Sequence, residues 1–271
     1  MALHETLTDF QVVELCRHRD SGRVVKISDE ACVKFGWGVH PEEGENLRIA
    51  GEILNSSNII RVPKFYRYFK KGMSGYLVME YIEGRQPTES EYNDLVDKIM
   101  TVIRQFRDVR TEDNKPGSLA GGISRGYFWN SDYPNFQTTQ QLEGWMNRRI
   151  HRSLPRVSFE GPGQELVFSH LDLTSRNIIR KDDGTLYLID WESAGYYPKS
   201  FELAALKMVN VNSTQFDRKL QDALAEDLGP EGNLQAECIT DAWYKADCYH
   251  FTPTEISNRP RPLFNIGPQE R

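Results

Sequence analysis

Cysteine is scarce in this chain: four residues in 271, Cys16, Cys32, Cys238 and Cys248, and no C-x-x-C pair among them. That spacing excludes a zinc-ligand cluster and a disulfide-built scaffold, so reduced, buried thiols are expected. Long apolar runs are missing as well. No stretch approaches the roughly 18 residues of a membrane span, and the polar opening MALHETLTDF has no signal-peptide core. A membrane partner is not expected, and the cytoplasm is the expected compartment. Positive charge is in deficit, with 33 Lys and Arg against 39 Asp and Glu and a formal charge of −6. A chain of that sign has no general attraction for a phosphate polyanion, so nucleic acid is not an expected partner. Internal repeats and low-complexity segments are absent. What is present, 39% hydrophobic and 11% aromatic residues, is the composition of a globular protein long enough to bury its own core.

The first eighty or so residues read as strands. Glu14 to Arg19, Arg23 to Ile27 and Ala31 to Phe35 are short β-prone runs separated by Ser21-Gly22 and by Ser28-Asp29-Glu30, which supply turn chemistry. From Pro41 the pattern turns helical: Leu47, Ala50 and Leu54 share a stripe that also carries Glu43, so a carboxylate points at the sheet. Val62 to Tyr68 and Tyr76 to Tyr81 return to strand. The expected small lobe is thus a five-stranded antiparallel sheet with one helix, over residues 1–84, hinged near residues 82–88.

Thr88 and Glu91 stand as a capping box before the apolar stripe Leu95, Ile99, Val102, Phe106 and Val109, which predicts a helix. Residues 111–136, rich in Gly and Pro, read as a long loop that serves a site or drapes over a surface. A helix follows over Thr139 to His151. Leu166 to Ser169, Asn177 to Arg180 and Thr185 to Asp190 read as strands, the last two joined by Asp182-Asp183-Gly184. Helices are expected over Gln215 to Leu228 and Gln235 to Tyr249. Residues 85–251 form the expected large lobe, and residues 252–271 an extended or mobile tail.

Chemistry concentrates in HLDLTSRNIIRKDDGTLYLIDWE, where His170, Asp172, Asn177 and Asp190 make the pattern H-x-D-x4-N-x12-D. A strand delivers the first two to a loop, and the following hairpin returns Asp190 beside it. Phosphoryl transfer from a nucleotide asks for such a set, because the task is positioning and charge neutralisation. Asp172 is placed to orient an acceptor hydroxyl and take its proton. Asn177 and Asp190 offer hard oxygens to magnesium bridging the phosphates. Lys34, alone in the apolar strand Ala31 to Phe35, suits a cation holding phosphate, and such a lysine needs a counter-charge. Glu43 is the first candidate, Glu45 the second. His170 reads as a structural brace. Arg176 reads as either a phosphate contact or a partner of Glu192 or Glu202.

These stretches resemble a known family. VVKISDEACVKFG, EEGENLRIAGEIL, RVPKFY, YLVMEYIEG, FSHLDLTSRNII and LIDWESAGYYP, spread over residues 24 to 198, are similar to the aminoglycoside phosphotransferase and choline kinase-like branch of the protein-kinase-like fold, and most of all to fungal phosphotransferase family proteins. The resemblance implies an α+β fold of two lobes. It also implies a nucleotide, ATP or GTP, between them, with its base against Glu80, Tyr81 and Ile82 and its magnesium on Asn177 and Asp190. Two features depart from the pattern: Leu171 stands where the family usually has glycine, and only Ser21-Gly22 occupies the place of a G-x-G-x-x-G loop. Both are compatible with a small-molecule kinase. The expected activity is transfer of a γ-phosphate to a hydroxyl of a small acceptor, with three basic against eight acidic residues from Asp217 to Asp247 favouring a cationic or polyhydroxylated one. A catalytically inactive kinase-like module and an atypical protein kinase are the alternatives. The G-x-S-x-G match at Gly122 to Gly126, with Asp190 and His250, suggests a serine hydrolase, but it lacks the strand-to-helix setting that such an elbow needs.

Overall fold

The structure is a computed structural model that describes residues 6–17, 24–55, 58–111, 113–129, 134–208 and 213–248. Its first element departs from the sequence reading. Helix α1, Asp9–Cys16, stands where Glu14 to Arg19 suggested a strand. Thr8 and Gln11 form a capping box at its start, and Val12 and Cys16, one turn apart, are buried together. An i, i+4 apolar pair suits a helix, and β-propensity over so short a run could not override it.

The small sheet therefore has four described strands, not five: β1 (Val24–Lys26), β2 (Ala31–Gly36), β3 (Phe65–Lys71) and β4 (Ser74–Glu80), in the order β1-β2-β4-β3 and antiparallel throughout. Side-chain alternation then decides which way each residue faces. Val33, Phe35, Tyr76 and Val78 pack with Val12 and Cys16 of α1. Lys34, opposite Leu77 in the register, points to the other face. Helix α2, Pro41–Leu54, lies on that face, with proline in its first turn, two early glutamates, and Glu43, Asn46, Leu47, Ala50 and Leu54 buried along one stripe. Gly44 permits the close approach, since a Cβ there would stand 3.0 Å from the Phe65 ring.

The large part of the chain is mainly helical. Thr88 and Glu91 make the expected box ahead of α3, Tyr92–Phe106. After β5 (Gly117–Ser118) come α4 (Thr139–Arg149), β6 (Leu166–Ser169), the hairpin β7 (Ile178–Arg180) and β8 (Leu186–Leu188), and β9 (Gly195–Pro198). Helix α5, Ser200–Met208, follows directly and is buried at nearly every position, so it shows no amphipathic stripe for a sequence reading to find. The last helical span, α6 (Gln215–Cys248), is broken at Gly229, whose φ of 69° and ψ of −176° lie outside the helix before Pro230 restarts it. Strands β5, β9 and β6 form a second sheet in that order. The expected tail lies outside the described residues.

Two backbone junctions tie small sheet to large part. Arg61 donates to the Leu186 carbonyl at 2.8 Å and accepts from Leu188 at 2.9 Å, while Arg85 and Arg180 exchange a pair of bonds at 3.0 and 2.8 Å. Gly84 allows the second junction, because a Cβ there would lie 2.6 Å from the Arg180 carbonyl oxygen.

Candidate active site

Lys34 ends inside the fold. Its Nζ lies 2.7 Å from Glu43 Oε1 and 3.1 Å from Asp190 Oδ1, so one ammonium joins a strand and a helix of the small sheet layer to the turn after β8. Burial alone would favour the neutral amine, but Glu43 and Asp190 outweigh it and hold the ammonium charged. Burial pushes the Glu43 carboxyl up while Lys34 pulls it back. For Asp190 the same burial is overcome by Lys34, and its carboxyl sits below the usual range. Glu45, the second candidate, is on another face and pairs with Arg48.

Asp172 occupies the loop between β6 and β7. Its Oδ2 accepts from Asn177 Nδ2 at 2.7 Å, and its Oδ1 from Arg176 at 2.6 Å. Arg176 thus pairs with Asp172, the carboxylate four residues before it, and not with Glu192 or Glu202. Asn177 also donates to the Asp172 carbonyl at 3.0 Å, so both its bonds spend the amide nitrogen and leave the side-chain oxygen turned away from Asp172. His170 is fully buried. Its Nδ1 accepts from the Asp172 amide at 3.2 Å and its Nε2 faces the Ile189 carbonyl at 3.2 Å, a pattern that needs the neutral Nε2–H tautomer. Burial lowers its pKa in agreement. The ring packs edge-on to Trp191 at 4.5 Å, so His170 links the start of this loop to the turn after β8.

Three buried groups, of which the sequence reading named only Glu202 and that as a partner for Arg176, hold this loop and the turn after β8. Glu202 of α5 accepts from the backbone amides of His170 and Leu171 at 2.8 and 3.0 Å, and burial pushes its carboxyl up to about 7. Asp217, at the start of α6, accepts from the Ser175 amide at 3.0 Å. Asn46 of α2 bonds to the segment following Asp190. The only sequence signal for the first two was an isolated acid within an otherwise apolar or helix-opening stretch. Leu171 and Asp190 both sit at positive φ, 61° and 66°, in the left-handed region that a non-glycine residue enters at a cost. Leu171 therefore takes the backbone shape usual for glycine, and the bonds that its amide and that of His170 donate to Glu202 hold it there.

Other candidates fall elsewhere. Glu80 ends β4 and Tyr81 and Ile82 follow it, where the Tyr81 amide donates to the Glu30 carbonyl at 3.0 Å, which removes that amide as a donor to a base. Ser21 and Gly22 lie outside the described residues. Ser124 is buried and accepts from the Tyr197 hydroxyl at 3.0 Å, with no strand-to-helix elbow around it, which disposes of the hydrolase reading. Among the described residues no three His, Cys, Asp or Glu side chains gather as a metal nest. One amide oxygen and one carboxylate remain, a donor set that fits magnesium shared with substrate phosphates.

Among solved structures, a thermostable variant of aminoglycoside phosphotransferase APH(4)-Ia, in ternary complex with ADP and hygromycin B, shares 11% identity. It covers 88% of this chain and 96% of its own, with a TM-score of 0.54. Its apo form gives 11% identity, 81% and 79% coverage and a TM-score of 0.53. Choline kinase LicA from Streptococcus pneumoniae gives 17%, 86% and 84%, and 0.44. At these identities the likeness concerns the fold, which is the two-lobed, kinase-like α+β architecture. No curated protein sequence matches the chain. The model of the phosphotransferase enzyme family matches residues 21–237, a span that holds every side chain of the Lys34–Asp190 cluster, and the chain belongs to that family.

Proposed function

We propose that this phosphotransferase is a small-molecule kinase that moves the γ-phosphate of ATP or GTP to an acceptor hydroxyl. The observation that carries the reading is the Lys34 ammonium, held between Glu43 and Asp190 at 2.7 and 3.1 Å, with the paired Asp172 and Asn177 in the loop between β6 and β7 as its companions. A nucleotide placed there would meet Lys34 through its phosphates and Glu80, Tyr81 and Ile82 through its base. Residues 1–84 would form the lobe above it and 85–251 the lobe below.

Asp172 acts as the base. The acceptor oxygen forms its bond to γ-phosphorus as the bond to the β-bridging oxygen breaks, and the hydroxyl proton passes to the carboxylate. Arg176 and Asn177 hold that carboxylate, one on each oxygen. Asn177 and Asp190 would hold magnesium, which when bound neutralises charge on the phosphates. The acceptor is a cationic or polyhydroxylated small molecule. The acidic excess of α6 supports this class, as does a structural neighbour whose complex contains hygromycin B.

Magnesium-ATP or magnesium-GTP at a hundredfold excess over its dissociation constant should stabilise the fold by about 2.7 kcal/mol in a thermal-shift measurement. No shift with either nucleotide, in magnesium or manganese, would favour an inactive binding module.

A further inference from the structure

Asn46 is buried to 0% exposure on α2, three residues after Glu43 and therefore on the same face. Its amide nitrogen donates to the Trp191 carbonyl at 3.0 Å and to the Ala194 carbonyl at 3.1 Å. Its oxygen accepts from the Ser118 hydroxyl at 2.8 Å and from the Ala120 amide at 3.2 Å. Two donors and two lone pairs are all spent, which is the full capacity of a carboxamide. Three separate stretches of chain meet on it: α2, the turn after Asp190, and the start of the long loop at β5. Nearby, Arg125 of the same loop pairs with Glu42 in the first turn of α2 at 3.2 Å.

The two carboxylates that flank Lys34 ride on the two elements this amide joins. Glu43 is one helical turn before Asn46, and Asp190 immediately precedes Trp191, whose carbonyl Asn46 holds. Asp190 is also at positive φ, so its backbone keeps that shape only while the following residues are fastened. We infer that Asn46 is a positioning residue for the phosphate-binding lysine: it fixes the separation between Glu43 and Asp190, and so the place of Lys34 Nζ between them. Its hydrogen bonds all go elsewhere than Lys34, and it acts through the other two. The inference rests on the nucleotide reading above for its consequence, but its geometry does not.

A double-variant cycle tests it, with magnesium-ATP as the probe. Glu43→Gln and Asn46→Ala should each weaken magnesium-ATP binding by about tenfold, and the double variant by about tenfold as well, because the second change acts on a lysine already displaced. Multiplied losses would overturn the inference, since a residue that only supports the fold has no reason to share its effect with Glu43. Ser118→Ala, which removes one of four bonds and leaves the amide in place, should give a smaller loss of about two- to threefold. A Ser118→Ala loss equal to that of Asn46→Ala would overturn it too. Hydrogen exchange without nucleotide supplies the arm that does not depend on the proposed function. In Asn46→Ala, exchange should rise about tenfold in the first turns of α2 and at residues 191–194, with α6 unchanged. Uniform acceleration would show a general loss of stability and refute positioning. Failure of the wild type to bind either magnesium-ATP or magnesium-GTP, with localised exchange retained, would refute the proposed function alone.

Discussion

Glu202→Gln tests the physical reading of the loop that carries Asp172 most directly. The carboxyl is 3% exposed, and burial pushes it up from 4.5 to about 7 even though the His170 and Leu171 amides pull it back. At 1.36 kcal/mol per unit, such a shift is worth about 3 kcal/mol. A raised carboxyl means that the fold holds the proton more tightly than the unfolded chain does. Its contribution is therefore full below about pH 4.5, is lost as pH rises through about 7, and is level above that. Glutamine is neutral at every pH and cannot follow this curve. Urea denaturation near pH 5 should find the variant less stable by about 1–3 kcal/mol, the cost of the amide left without an acceptor, and between pH 5 and pH 8 the difference should move in the variant's favour by about 3 kcal/mol. Comparison at equal pH cancels His170, which both proteins share. The carboxamide has one acceptor oxygen for two amides, so the loop loosens and phosphate transfer falls at every pH, while stability relative to wild type improves as pH rises. Were the wild type instead to gain on the variant with rising pH, the two amide bonds would outweigh burial and the reasoning would be wrong.

Three further outcomes follow from the geometry. Lys34→Met should cost about 3–5 kcal/mol in urea denaturation by leaving Glu43 buried without its partner, and Lys34→Met with Glu43→Leu should recover more than half of it. Asp172→Asn should leave nucleotide affinity nearly intact and lower transfer by about 10² to 10⁴-fold, whereas Asp190→Asn should lose both; titration calorimetry and a phosphate-transfer assay on a panel of hydroxyl acceptors separate them. Gly126→Ala should cost about 2–4 kcal/mol, because φ is +81° and a Cβ would run into the side chain and backbone of Ser193, while Gly121→Ala, at φ +74° in open space, should cost only about 1 kcal/mol; thermal unfolding distinguishes them.

Much of the architecture was legible wherever one local rule had no competitor. The Thr88 and Glu91 box and the α2 stripe are local signals, and the elements lie where they point; the helix expected to end at Leu228 does so at Gly229, although the next begins at Pro230 and not at Gln235. Legibility failed in two ways. At residues 14–16 strand propensity competed with a helical pair, and the pairing of Val12 with Cys16 against the sheet decided it. At 200–208 burial on all sides erased the periodicity by which a helix is read. Strands β5 and β9, two and four residues long, owe their existence to each other and to β6, and no window of their own sequence could announce them.

The same division runs through the site. The sequence by itself determined which chemistry was available: a lysine in an apolar strand, a carboxylate on an inward helical stripe, and an Asp, an Asn and an Asp at fixed intervals around one hairpin. Those are statements about residue type and short-range spacing, and covalent geometry enforces them. Tertiary structure decided which groups meet. Lys34 and Asp190 are 156 positions apart and 3.1 Å distant, and Arg176 turned to Asp172 over two other acids. It also decided that Glu202, Asp217 and Asn46 hold the loop and its flanks, since their importance lies in bonds to backbone far along the chain. Such bonds depend on how helices pack against a loop, and packing is a property of the whole core that no stretch of sequence carries alone.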